Sequence, residues 1–155
     1  MSFVVTGLPV EQFQPLYGLD DAALAERNIV RRIVDPGERA PCRVTLEDAV
    51  EGQSVLLLNY EHQSAASPYR SSYAIYVTEG AGETRRLVDE LPGVFRNRPL
   101  ALRAFDADGM LIDAELTDYD RIRDSIERQF AAPEVAYLHV HNARPGCYAA
   151  RIDRA

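Results

Sequence analysis

The side chains best suited to chemistry crowd into YLHVHNARPGCYAARI, Tyr137 to Ile152, which holds two of the three histidines and one of the two cysteines. Side chains alternate along an extended strand, so Tyr137, His139 and His141 share one face. Ala136, Leu138 and Val140 share the other, which the pattern assigns to the core. If the five residues Asn142 to Gly146 connect this strand to the next, His141 lies opposite Cys147, His139 opposite Ala149 and Tyr137 opposite Arg151. Directly opposed residues have Cβ atoms ~4.5–5.5 Å apart, close enough for an imidazole to meet a thiol. A one-residue slip would carry Cys147 to the other face.

Several chemistries suit such a face. A nucleophilic site would use His141 to draw the proton from the Cys147 thiol; the plainer reading is a small buried thiol beside a hydrogen-bonded histidine. A metal site would use His139 and His141, joined by His62, Glu61 or Cys147. The cupin pattern, however, expects a glutamate a few residues after its HxH, where this chain has Asn142-Ala143-Arg144-Pro145-Gly146. The HxHxH strand of histidine-triad nucleotide hydrolases matches over Leu138 to His141, but Ala143 stands where the third histidine should be. No metal ligand set and no cofactor is assigned on these grounds.

A second segment, NYEHQSAASPYRSSYAIY from Asn59 to Tyr76, supplies the remaining histidine. The two segments together carry six of the eight tyrosines, although tyrosine favours strands for reasons of packing alone. Arg70, in a hydroxyl-rich loop behind Pro68, would anchor a carboxylate or phosphate. Tyr69, His62, His139, Asn142 and Tyr148 would orient the ligand, with His141 and Cys147 as the catalytic pair. Leu56, Leu58 and Tyr60 share the face of His62, which is equally the pattern of a core histidine. Glu61 points the opposite way.

The surrounding elements read as about eight strands. Phe3–Val5, Ile29–Val34, Arg43–Thr45, Ser54–His62 and Tyr73–Thr78 are extended, and Arg86–Leu91 suggests one helical turn. Val10, Phe13, Leu16 and Tyr17 recur at helical spacing, and Asp20 caps a further helix. Leu100–Phe105 and Met110–Leu116 form a hairpin across Asp106-Ala107-Asp108-Gly109. Thr117-Asp118-Tyr119-Asp120 resembles a capping box before a helix carrying Ile122, Ile126 and Phe130 on one face. Val135–His141 and Cys147–Ile152 close the chain. Consecutive strands without crossover helices indicate an α+β fold, a mostly antiparallel or mixed sheet packed with two to four helices.

A chain of 155 residues with 46% hydrophobic and 26% charged residues is expected to form one domain, residues 1–155, burying roughly 68–70% of its unfolded surface. A net charge of −7 opposes nucleic-acid binding, which needs a basic face to displace counterions. All 17 basic residues are arginines, so Schiff-base lysine chemistry is excluded and any anion would meet guanidinium forks. No apolar run approaches the ~18 residues of a membrane-spanning helix, and no secretion signal opens the chain. The cytoplasm is the expected compartment, where Cys42 and Cys147 would be free thiols.

The stretches PCRVTLEDA, LLNYEHQ, SPYRSSYAI, LRAFDADGM and HNARPGCYAARID, in that order, resemble a small bacterial family, domain of unknown function 1203. The resemblance implies a bacterial, single-domain protein of about this length, and it carries no catalytic or binding residue across. The residues themselves favour a pocket for a small polar or anionic molecule built from segments 59–76 and 137–151. The alternatives are a non-catalytic structural or interaction module, with an edge strand forming a homodimer, and a metal-dependent or Cys-His enzyme.

Overall fold

β-branched and aromatic runs set the architecture, which is mostly β with small helices in the computed structural model describing residues 1–155. The strands are β1 (Phe3–Thr6), β2 (Val30–Ile33), β3 (Ala40–Pro41), β4 (Asp48–Ala49), β5 (Ser54–Gln63), β6 (Ser71–Thr78), β7 (Arg86–Val88), β8 (Leu100–Phe105), β9 (Leu111–Thr117), β10 (Tyr137–Asn142) and β11 (Tyr148–Arg154). The helices are α1 (Asp21–Ala25) and α2 (Ile122–Phe130). Six strands form one sheet in the order β7-β1-β11-β10-β8-β9, three form a second in the order β2-β5-β6, and β3 pairs with β4. Every strand pairing is antiparallel; the sole parallel contact is a bridge between Cys42 and Tyr76.

Two cores follow from the side-chain alternation. Ile122, Ile126 and Phe130 of α2 recur every four residues and bury against Leu100, Leu102, Leu138, Val140 and Ile152 of the large sheet. Burial of each such side chain contributes about 1.5–3 kcal/mol. The second core sets Leu56, Leu58, Ile75 and Val77 of the small sheet against Val10, Phe13, Leu24 and Val44. Tyr148 is the large sheet's contribution to it.

Three local expectations are corrected. Arg43-Val44-Thr45 is a turn, because Arg43 N–H donates to Tyr76 O at 3.0 Å and Leu46 adopts φ +56°, which ends extended pairing. Arg86–Val88 is an edge strand, since Leu87 opposes Val5 of β1 and buries its side chain there; long-range pairing overrides the local helical pattern. Val10 to Leu16 makes two short 3-10 turns. Asp20 caps α1 as expected, accepting from Ala23 N–H at 2.8 Å. Before α2 it is Asp118, not Thr117, that accepts a backbone N–H, from Arg121 at 3.1 Å; Thr117 instead accepts from the Ser125 hydroxyl.

The β8–β9 hairpin forms where Asp-Gly placed it, with Gly109 at φ +77°. Its tip is tied to the loop after β5, since the Ser67 hydroxyl donates to Gly109 O at 2.9 Å. A Cβ on Gly109 would lie 2.2 Å from Ala65 Cβ. Gly109→Ala therefore combines left-handed strain of roughly 1–2 kcal/mol with overpacking of about 1–3 kcal/mol. Urea unfolding of the variant is expected to show a loss of about 2–5 kcal/mol, and an unchanged midpoint would refute this account of the hairpin tip.

Candidate functional site

The loop of the β10–β11 hairpin is one residue shorter than the alternation predicts, because Asn142 still belongs to β10. Asn142 N–H donates to Cys147 O at 2.8 Å and Gly146 N–H to Asn142 O at 2.9 Å, with Gly146 at φ +82°. The loop is thus Ala143 to Gly146, and His141 lies opposite Tyr148 rather than Cys147. A bulge follows: Val140 opposes Ala150 and Ala149 is left unpaired, so His139 faces Arg151 instead of Ala149. By alternation Tyr148 joins the histidine face while Cys147 joins Asn142 on the other. His141 and Cys147 therefore do not form a pair.

A second bulge supplies the third histidine. Glu61 opposes Ser72 and Gln63 opposes Ser71, leaving His62 as the extra residue of β5. Bulges re-aim side chains, and here His62 swings over the large sheet. Its ring stacks on Tyr148 at 5.5 Å between centroids and lies 5.0 Å from His141 and 6.5 Å from His139. The His139 and His141 rings are 6.4 Å apart. All three histidines, separated by up to 79 positions in the chain, line one cavity of about 250 Å³ with Arg103, Gln63, Tyr69 and Ser71. Phe105 and Leu111 form its apolar wall.

The polar atoms of this cavity are incompletely matched. His141 Nδ1–H donates to Gly146 O at 2.9 Å, which leaves Nε2 without a proton in the neutral ring. The Ser71 hydroxyl donates to Tyr69 O at 2.8 Å, so its oxygen accepts from His62 Nε2–H at 3.3 Å. The Nδ1 atoms of His62 and His139 are both buried without a hydrogen-bond partner. Gln63 Nε2–H donates to Tyr137 Oη at 3.0 Å. Arg103, paired in register with His139, has neither a hydrogen bond nor a carboxylate partner of its own, and burial lowers its pKa from the ordinary guanidinium value.

Burial also keeps the histidines neutral. It pushes His139 down to about 3, with the His141 and Arg151 charges adding to the effect. His141 is pushed down to about 4 by burial, against the opposing hydrogen bond to Gly146, and His62 is lowered by burial and then by Arg103, against the opposing backbone carbonyl of Tyr60. Burial raises the Tyr148 phenol. No group of three or more His, Cys, Asp or Glu is arranged to hold a metal ion.

The expected ligand residues distribute unevenly. His62, Tyr69, His139 and His141 line the histidine cavity, and Tyr148 stacks against His62 without reaching the cavity itself. Arg70 points away: it is exposed and pairs with Glu61 at 3.1 Å, because Glu61 occupies the solvent face that His62 leaves. Asn142 and Cys147 line a different cavity, of about 430 Å³. There Cys147 Sγ accepts from Arg43 Nη2 at 2.9 Å and from Asn142 Nδ2 at 3.4 Å. Arg103 was legible only as an arginine alternating with Leu102 and Ala104 in a strand. Nothing in the sequence marked Arg43 as buried.

A family model described as Protein of unknown function (DUF1203) matches residues 39–154. No curated protein and no solved structure matches the chain. No helix is long and apolar enough to cross a membrane.

The depressed histidines tie stability to pH. Each binds a proton in the unfolded chain near pH 6.5 and in the folded chain only near pH 4 for His141 and pH 3 for His139. The unfolded state thus holds more protons between these limits, so stability is full above about pH 6.5 and is lost as pH falls towards 4 and 3. Each residue adds a slope of up to about 1.4 kcal/mol per pH unit. Urea titrations at pH 7 and pH 5 are expected to show this decline, and His139→Gln should flatten it. A decline as steep in the variant as in the parent would show that His139 ionises normally.

Proposed function

The chain belongs to the family of proteins of unknown function DUF1203, and from the geometry of the histidine cavity we propose that it binds a small molecule bearing an anionic group beside a hydroxyl or amine. The observation that carries this reading is the mismatch within one cavity of Arg103, a cation without a counter-charge, and His62 and His139, whose buried Nδ1 atoms have no hydrogen-bond partner. A carboxylate or phosphate would meet the guanidinium through charge-assisted hydrogen bonds. A neighbouring hydroxyl or amine on the ligand would donate to a neutral imidazole, relieving a buried unsatisfied acceptor. At about 250 Å³ the cavity lies below the roughly 300–1,000 Å³ of drug-sized sites, which limits the ligand to a small polar metabolite-like compound.

In this reading Arg103 takes the anchoring role that the sequence pattern gave to Arg70, and segments 59–76 and 137–151 still supply most of the walls. Neutral histidines suit such a site. They accept a hydrogen bond from a bound hydroxyl without repelling the arginine, and an arriving anion would favour their protonated forms.

The test is a titration with glycolate, acetate and ethylene glycol, followed by NMR of the three histidine rings. Glycolate, which carries both groups, is expected to shift all three rings and to bind more tightly than acetate or the neutral diol. Arg103→Met should weaken glycolate binding at least about tenfold, the scale of one charge-assisted contact. Histidine signals that stay unmoved by any of the three, or glycolate binding unchanged in Arg103→Met, would sink the proposal and leave a structural module as the better description.

A further inference from the structure

The cavity on the Cys147 side of the β10–β11 hairpin has an electrostatic character of its own. Arg39, Arg43, Arg98 and Arg144 all line it. Asp48 is the one carboxylate paired with any of them, holding Arg39 at 3.2 Å and Arg98 at 2.5 Å. Four guanidiniums against one carboxylate leave an excess of three positive charges in a protein whose net charge is −7. A concave surface of one sign focuses the field and concentrates counter-ions.

Arg43 is the unusual member. It is 2% exposed, and it donates to Tyr148 O at 2.7 Å, Pro41 O at 2.6 Å and Cys147 Sγ at 2.9 Å. None of these partners is a carboxylate, and burial of a charge without a counter-ion costs several kcal/mol. Burial lowers its pKa from the ordinary guanidinium value; the contact with Cys147 opposes that shift and the like charge of Arg98 adds to it. Arg144, on the hairpin loop, is exposed and makes no hydrogen bond or ion pair within the chain. Asn142 is 5% exposed; its Nδ2 reaches Cys147, and its Oδ1 has no partner at all.

Apart from Asn97, the remaining walls are mostly apolar or aromatic, with Leu57, Tyr76 and Pro99 among them. At about 430 Å³ the cavity falls within the size range of small-molecule sites. We propose that this arginine cavity is a second binding site, for an organic dianion of the phosphate-monoester type. The phosphate would sit among Arg43, Arg98 and Arg144, a hydroxyl or amide of the ligand would donate to Asn142 Oδ1, and its apolar body would lie against Leu57 and Pro99. A dianion compensates the excess charge better than a monoanion, and planar guanidiniums match phosphate oxygens bidentately. This inference is independent of the histidine cavity, which shares none of these lining residues.

Phenyl phosphate is the probe, compared with benzoate, inorganic phosphate and benzyl alcohol by amide NMR of the intact chain at pH 8. Phenyl phosphate is expected to perturb Asn142, Arg144 and Cys147 while leaving the rings of His62, His139 and His141 in place. Benzoate, inorganic phosphate and benzyl alcohol should each bind more weakly. Arg144→Ala removes a solvent-exposed side chain without touching the core and is expected to weaken phenyl phosphate binding about tenfold. As a second measurement, phenyl phosphate should slow alkylation of Cys147 by iodoacetamide, read separately from the fully buried Cys42 by peptide mass spectrometry. The proposal is overturned if phenyl phosphate perturbs neither these amides nor Cys147 alkylation, if benzoate or inorganic phosphate binds as tightly, or if Arg144→Ala binds as well as the parent.

Discussion

The packing of Tyr148 is the constraint on which both cavities depend. The residue is 3% exposed, and its ring stacks on His62 while meeting the edges of His139 and His141 at 5.1 and 5.9 Å between centroids. Its backbone carbonyl faces the other way in effect, accepting from Arg43 Nε at 2.7 Å. The same residue completes the core between the small sheet and the N-terminal turns. A tight loop that ends in Gly146 decides this placement, because it sets Tyr148 opposite His141 and sends Cys147 to the far side. One register therefore builds a histidine cavity and an arginine cavity on either side of a single hairpin.

The two cavities use charge differently. Around the histidines, burial and Arg103 hold three imidazoles neutral, so the polar capacity there lies in bare ring nitrogens and one unpaired guanidinium. Around Cys147, guanidiniums outnumber carboxylates and the thiol serves as an acceptor for Arg43. A chain rich in acidic residues overall can thus hold two electropositive recesses, because no carboxylate lines either cavity; Glu61, Glu79, Glu115 and Asp153 pair instead with Arg70, Arg31, Arg128 and Arg151.

Much of the secondary structure was legible because it obeys local rules. The Asp-Gly turn after Phe105 needs a positive φ, the Asp20 carboxylate finds the free N–H groups of α1, and Ile122, Ile126 and Phe130 repeat at helical spacing. The misreadings arose where distant partners decide. Arg86–Val88 becomes a strand because β1 offers it a ladder, and Arg43 turns inward because Tyr148 O and Pro41 O receive its N–H groups. The convergence of segments 59–76 and 137–151 was readable from their shared histidines and tyrosines. The place of Arg103 among them was not, since only the β8–β10 register sets it beside His139.

By itself the sequence determined that His139 and His141 share a face, that Cys147 sits at the mouth of a hairpin, and that any anion would be met by arginine, since the chain has no lysine. Side-chain alternation and composition suffice for those statements. Only the tertiary structure decided that His62 joins the pair, that Cys147 turns from His141 to Arg43, and that Arg70 faces solvent. The physical reason is the period of two along a strand. One loop shorter by a residue and two single-residue bulges, each too small to leave a mark in the pattern of residues, reverse which side chains look at one another.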